Sequence, residues 1–238
     1  MRHDWSWKAA TKCFAVGLLV FGLTVGLATI SGAIPITELN GAWTNDQPPG
    51  TATIVNNLNP GTSTAKWGVP ANPQNQRSGY NWTPTATSFD APANGTPFSL
   101  GTFNHLNFAI TGTSITGIDL NFSMTVNGLP IPTIAGLIHF NHDETPNPAP
   151  DIVTITSPLI DMSVPFDYLG TQYMFTLLGF SQNANGSPIT TQFITQEGQE
   201  NVANLFGTIS VVPEPATMLL LGSGLIGLAG YARKKFKR

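Results

Sequence analysis

Apolar and polar residues alternate with a period of two along several segments of this 238-residue chain. The clearest segment runs from Ile118 to Val126, where every second residue is apolar. An extended strand with this pattern buries one face and hydrates the other. Asn127-Gly128 follows directly and favours a tight hairpin turn. Between residues 34 and 212 no sustained apolar stripe follows the helical period of about 3.6 residues, so the pattern predicts antiparallel strands.

Eight further segments are typical of strands, because β-branched and aromatic residues lie between clusters of Gly, Pro and Asn. They are residues 51–56, 98–103, 107–111, 133–141, 151–156, 159–166, 171–180 and 206–212. Residues 47–97 are rich in Pro, Asn and Thr and are expected to form long loops with short strands inside. Together the segments predict one all-β domain, an antiparallel, jelly-roll-like β-sandwich, with a partly open barrel as the alternative.

The chain ends with three segments in a fixed order. Val212-Pro213-Glu214-Pro215 precedes an apolar stretch from Ala216 to Ala229, and five of the last six residues are Lys or Arg. The apolar stretch is short for a permanent anchor, since a membrane-spanning helix needs about 20 residues. The basic tail would stay on the cytoplasmic side. An ordinary tail anchor is one interpretation of this pattern.

The same three segments resemble the PEP-CTERM sorting signal of Gram-negative bacteria that produce exopolysaccharide. The resemblance implies that the protein is anchored transiently in the inner membrane. An exosortase would then cut near Pro213-Glu214-Pro215 and pass the protein to the cell surface or the extracellular space. It implies a destination and leaves the activity of the exported domain open.

The N-terminal segment has the pattern of a signal peptide. Three cations precede an apolar run from Cys13 to Ile30, and Ser31-Gly32-Ala33 offers small residues at a signal peptidase site. Cleavage after Ala33 is expected, with an uncleaved anchor as the alternative. The predicted organisation is a signal peptide (1–33), a β-sandwich domain (34–211) and the sorting signal (212–238).

The predicted domain is strongly acidic and lacks cysteine. Lys66 and Arg77 face eleven Asp and Glu residues between residues 34 and 212, which gives a formal charge of −9. Such a surface excludes nucleic-acid binding, and it would repel acidic polysaccharide unless divalent cations bridged the two. The only cysteine, Cys13, lies in the leader, so the domain has no disulfide and no thiolate ligand.

One segment of the predicted domain carries a second resemblance. Gly101-Thr102-Phe103-Asn104-His105-Leu106-Asn107 is similar to the signature of the THxN, or choice-of-anchor K, group of PEP-CTERM proteins. Asn104 stands where that signature has Thr, and the likeness implies a fold rather than a reaction. On a strand, His105 and Asn107 point to the same face. We expect them to join neighbouring strands or loops by hydrogen bonds, because buried polar side chains need partners.

Two metal sites are conceivable from the sequence. Asp143, Glu144, Asn147 and Asp151 supply oxygen atoms near a Pro-rich turn and are candidate calcium ligands, although Asp and Asn are also ordinary turn residues. A three-histidine zinc site would combine His105 with His139 and His142. Such a site would need His139 and His142 both to face inward, whereas a strand places these two residues on opposite faces.

Three aromatic residues, Trp67, Tyr80 and Trp82, could stack on sugar rings, or they could cover the ends of the core. No nucleophile elbow, HExxH or phosphate loop occurs, so a secreted hydrolase is the weaker alternative and the protein is predicted not to be an enzyme. The predicted function is a structural or adhesive role in the cell envelope or the exopolysaccharide matrix of a biofilm. A glycan-binding module is the main alternative.

Overall fold

A computed structural model of the protein describes residues 32–57, 61–86, 88–129, 134–146, 149–156, 163–213, 220–228 and 231. These residues are mostly β. The strands are β1 (Ala33–Gln47), β2 (Thr53–Val55), β3 (Ser63–Trp67), β4 (Val69–Pro70), β5 (Ser78–Pro84), β6 (Phe89–Pro92), β7 (Phe98–Asn107), β8 (Ile110–Thr111), β9 (Gly117–Val126), β10 (Ile134–Asp143), β11 (Asp151–Ile155), β12 (Val164–Tyr168), β13 (Thr171–Ser181), β14 (Gln192–Thr195) and β15 (Gln199–Val211).

Two antiparallel sheets contain most of these strands. The first sheet has six strands in the order β14-β11-β10-β9-β1-β6, and the second has seven in the order β12-β13-β15-β7-β5-β3-β2. The short strands β4 and β8 form a separate antiparallel pair. The prediction of antiparallel β structure is confirmed.

The first sheet is centred on the strand that the alternation identified most clearly. In β9 Ile118, Leu120 and Phe122 are buried, as the period of two predicts. The hairpin to β10 begins at Asn127-Gly128, where Gly128 has a φ of 82°, a left-handed conformation that glycine adopts without strain. The pairing of Met124 with Ile134 then sets the register of β10.

The two sheets share one apolar core, which is rich in aromatic rings. Phe103 of β7 stacks on Phe140 of β10 with ring centroids 5.2 Å apart, and Phe122 of β9 stacks on Phe175 of β13 at 5.9 Å. Each pair joins a strand of one sheet to a strand of the other. Burial of these large rings contributes to the packing of one sheet against the other.

Trp82 of β5 fits between the sheets because two glycines leave room for its indole ring. A Cβ added to Gly41 of β1 would lie 2.5 Å from Trp82 Nε1, and one added to Gly101 of β7 would lie 2.7 Å from Trp82 Cη2. Gly101 therefore serves close packing, which explains one glycine of the signature segment.

Several strands differ from the prediction because β-bulges interrupt the alternation. Strand β1 was not predicted, because its register shifts between Ile36 and Glu38 and no single period of two runs through it. Another register shift at Leu205/Phe206 explains why β15 was predicted to begin at Phe206 instead of Gln199. Strands 98–103 and 107–111 were predicted separately, and β7 spans the interval between them.

Residues 47–97 contain more of the core than expected. They include long loops, but β3 and β5 are inner strands of the seven-stranded sheet. Part of the predicted strand 159–166 lies outside the described residues, and β12 begins at Val164.

The two ends of the chain are described only in part. Of the predicted signal peptidase site, Ser31 lies outside the described residues and Ala33 is the first residue of β1. A short helix covers residues 220–228. Among the described residues no helix is long and apolar enough to cross a membrane.

Candidate functional site

A cluster of ionisable side chains lies inside the core, between the two sheets. His105 of β7, His142 of β10 and Asp151 of β11 are all buried, and one ligand atom from each lies within 4.8 Å of the others. Alternation along each strand brings them there, because these residues follow the phase of apolar neighbours such as Phe103, Phe140 and Val153. Ionisable groups are seldom buried without partners.

The signature segment supplies one side of the cluster. His105 and Asn107 both point inward, as predicted, and both bind Thr195 of β14 in the opposite sheet. His105 Nδ1 lies 2.9 Å from Thr195 Oγ1, and Asn107 Nδ2 donates to the Thr195 carbonyl at 3.3 Å. The expected hydrogen bonding between strands is confirmed, and it connects the two sheets.

Two polar residues of the signature segment, Thr102 and Asn104, face away from the cluster. Thr102 Oγ1 donates to Asn204 Oδ1 at 3.2 Å, and Asn104 Nδ2 donates to Glu200 Oε2 at 2.9 Å. Both partners belong to the adjacent strand β15. Asn104, the residue that departs from the signature, therefore makes a contact on the outer face and leaves His105 undisturbed.

The hydrogen bonds of the Thr195 hydroxyl favour one tautomer of His105. Thr195 Oγ1 donates its hydrogen to the carbonyl oxygen of Asp151 at 3.2 Å. It must then accept the bond from His105 Nδ1, so Nδ1 carries the proton and Nε2 presents a lone pair. That lone pair has no hydrogen-bond partner among the described residues.

His142 is bound on both sides of its ring. Its Nδ1 lies 2.6 Å from the hydroxyl of Tyr80. Its Nε2 lies 3.3 Å from Glu144 Oε2 and 4.0 Å from Asp151 Oδ2. Glu144 also accepts a hydrogen bond from Ser114 Oγ at 2.6 Å, and its side chain is one-third exposed, which makes it the link between the cluster and solvent.

One carboxylate oxygen of Asp151 accepts hydrogen bonds, and the other does not. Oδ1 accepts from the backbone N–H of Thr145 at 2.9 Å and from its hydroxyl at 3.3 Å. Oδ2 is buried and has no hydrogen-bond partner among the described residues. Two buried acceptors, Asp151 Oδ2 and His105 Nε2, thus face the same small space.

The pKa values of the cluster follow from burial and from these contacts. Burial lowers the pKa of His105 well below its usual range, and neighbouring His142 lowers it further. Burial also raises the pKa of Asp151. The hydrogen bond from His142 lowers the pKa of Glu144. Burial raises the pKa of the Tyr80 phenol, and the charges of Asp151 and Glu144 raise it further, so Tyr80 stays neutral.

The predicted calcium ligands are only partly brought together. Glu144 and Asp151 both approach His142, but Asp143 is exposed on the opposite face of β10. Asn147 lies outside the described residues. The buried cluster offers imidazole nitrogens beside carboxylates, whereas calcium takes oxygen ligands only.

The three-histidine arrangement is wrong, because His139 faces the outside of the first sheet. His139 Nδ1 lies 2.5 Å from Asp119 Oδ1, and its Nε2 lies 3.0 Å from Asn141 Oδ1. The third position beside His105 and His142 belongs to Asp151 instead.

The assignment of Trp67, Tyr80 and Trp82 to glycan stacking is also corrected. All three rings have 0% of their surface exposed, so none can present a face to a sugar. Trp67 packs instead against His105 and His142, with ring centroids 6.2 Å and 5.3 Å away. It forms an apolar wall of the cluster, in line with the alternative that these rings belong to the core.

The second feature with functional meaning follows the last strand. The backbone N–H of Val212 donates to the Gln172 carbonyl of β13 at 2.9 Å, which holds the chain to the second sheet just before Pro213. Glu214 and Pro215 lie outside the described residues. Residues 211–234 match the PEP-CTERM protein-sorting motif. This motif implies export and exosortase-dependent sorting to the cell surface.

The sorting motif covers only the end of the chain, and membership of the THxN group stays a prediction. No curated protein matches the chain.

Sequence reasoning missed Thr195 and the role of Tyr80, because only the fold brings their strands to the cluster. Asp151 could have been placed in the core from the sequence. It precedes Val153 and Ile155 at intervals of two, so a buried face of β11 includes it.

Proposed function

We propose that the exported β domain is a non-catalytic structural or adhesive component of the cell envelope or of the exopolysaccharide matrix of a biofilm. Signal peptidase would remove residues 1–33, and an exosortase would process the end at Pro213-Glu214-Pro215 after a transient stay in the inner membrane. In this proposal the two packed sheets form a jelly-roll-like β-sandwich that serves as a compact, rigid body.

The observation that carries the proposal is the sorting motif at residues 211–234, directly after the last strand β15. The surface charge is consistent with it, since a formal −9 on the domain favours solubility outside the cell. Association with acidic polysaccharide would then depend on bridging divalent cations. The glycan-binding alternative loses its support because its aromatic rings are buried.

Deletion of the gene in the native host, with complementation, tests the proposal. We expect the deletion strain to lose surface attachment or matrix cohesion, and the wild-type gene to restore it. A variant with alanine at Pro213, Glu214 and Pro215 should be expressed but should fail to restore it. Attachment that is unchanged by the deletion would contradict the structural role, even if the protein is found outside the cell.

A further inference from the structure

Two buried polar atoms of the interior cluster have no hydrogen-bond partner among the described residues. His105 Nε2 presents a lone pair in the tautomer that the bonds of the Thr195 hydroxyl favour. Asp151 Oδ2 lies in the same space and is also an acceptor without a partner. Two buried acceptors that face each other are unfavourable unless a proton, a water molecule or a cation lies between them, and a cation can satisfy both at once.

Each of the three residues is held by its outer atom and leaves one atom facing inward. Thr195 holds His105 at Nδ1, Tyr80 holds His142 at Nδ1, and Thr145 holds Asp151 at Oδ1. When the Tyr80 phenol accepts from His142 Nδ1–H, the lone pair of His142 Nε2 joins those of His105 and Asp151. Metal-binding histidines are oriented in this way by a second partner at the outer nitrogen.

We propose that His105, His142 and Asp151 bind one Zn²⁺ ion, and that Glu144, which lies beside His142 and outside this group of three, turns inward as the fourth ligand. Glu144 Oε2 lies 3.3 Å from His142 Nε2, close to the separation of about 3.3 Å expected between ligands bonded to zinc at about 2.0 Å. The separation of 4.0 Å between His142 Nε2 and Asp151 Oδ2 requires only a small contraction.

The ligand set identifies the class of metal. Two neutral imidazoles and two carboxylates suit a tetrahedral zinc site and balance its charge, whereas calcium takes six to eight oxygen ligands. The three inner ligands are buried, and the partly exposed Glu144 leaves a route for the ion to enter.

The zinc ion would have a structural role. It would connect β7 of one sheet to β10 and β11 of the other. An exported domain commonly uses disulfides for such cross-links, but the only cysteine of this chain lies in the leader at position 13. A metal site supplies the same constraint without thiols. This inference is independent of the proposed role at the cell surface.

Zinc titration of the full-length chain in detergent tests the proposal. The protein used for the titration has the substitutions His3→Ala and Cys13→Ser, so that its N-terminal segment offers neither imidazole nor thiol to zinc. After chelator treatment and dialysis, we expect one Zn²⁺ per chain by calorimetry. The melting temperature should rise by about 5–10 °C when free zinc is 100 times the Kd.

Variants distinguish this site from other zinc binding. Asp151→Asn and His105→Gln should each weaken zinc binding by at least about 100-fold, because even residues that only orient ligands contribute about 10–100-fold. Tyr80→Phe should fall within that 10–100-fold range as a positioning residue. His139→Ala is the control: His139 lies on β10 like the ligand His142 but faces outward, so its loss should change zinc affinity less than twofold.

Several results would overturn the proposal. They are an absence of zinc binding by the wild type, unchanged binding by Asp151→Asn, loss of binding in His139→Ala, and a thermal shift produced by Ca²⁺ but not by Zn²⁺. If the ligand variants fail to fold, Co²⁺ absorption of the wild-type protein decides. Intense visible bands of four-coordinate cobalt support the site, and the weak bands of six-coordinate cobalt refute it.

Discussion

Replacement of Thr195 by valine measures how much the buried cluster stabilises the contact between the sheets. Valine has nearly the shape of threonine, so the change removes the hydroxyl without opening a cavity. In the wild type this hydroxyl accepts from His105 Nδ1 at 2.9 Å and donates to the Asp151 carbonyl at 3.2 Å. Asn107 keeps its bond to the Thr195 carbonyl at 3.3 Å.

The expected cost follows from the groups left without partners. The buried His105 N–H loses its acceptor, which costs about 1–3 kcal/mol, and the lost bond to Asp151 adds about 0.5–1.5 kcal/mol. The sum of about 1.5–4.5 kcal/mol corresponds to a fall in melting temperature of roughly 3–18 °C for a domain of this size.

Thermal unfolding of the full-length chain, followed by intrinsic fluorescence in the presence of chelator, measures the effect. Thr154→Val is the matched control, since Thr154 lies on the outward face of β11 and is half-buried. It should change stability by less than about 0.5 kcal/mol. A Thr195→Val protein that melts within about 2 °C of this control would refute the reasoning.

Three further predictions concern packing, the outer face and sorting. Gly41→Ala should destabilise the protein by about 1–3 kcal/mol in urea, because the new Cβ would lie 2.5 Å from Trp82 Nε1; a neutral result would contradict the packing. Asp119→Asn breaks the pair with partly exposed His139 and should cost no more than about 1 kcal/mol by the same assay; a larger loss would show that this pair is more than a surface contact. Alanine at Pro213-Glu214-Pro215 should leave a precursor with an intact C-terminus in the membrane fraction, as read by mass spectrometry; normal processing would contradict the role of this segment.

The sequence predicted those parts of the fold where alternation runs without interruption. Strand β9 and the turn at Asn127-Gly128 were located this way, whereas the bulge in β1 hid a strand of fifteen residues. The inward direction of His105 and Asn107 was predictable from their spacing. Their partner Thr195 was not, because it lies 88 residues beyond Asn107 and reaches the cluster only through the packing of two sheets.

The pairing of β7 with β15 determines when the domain can fold. Asn107 lies opposite Gln199, and Phe98 lies opposite Gly207. Strand β7, in the middle of the second sheet, therefore cannot pair with β15 until nearly the last residues of the domain are present. Contacts so distant along the chain form slowly. The second sheet can therefore be completed only once β15 is present, immediately ahead of the sorting segment. A chain truncated before Gln199 should accordingly remain sensitive to protease.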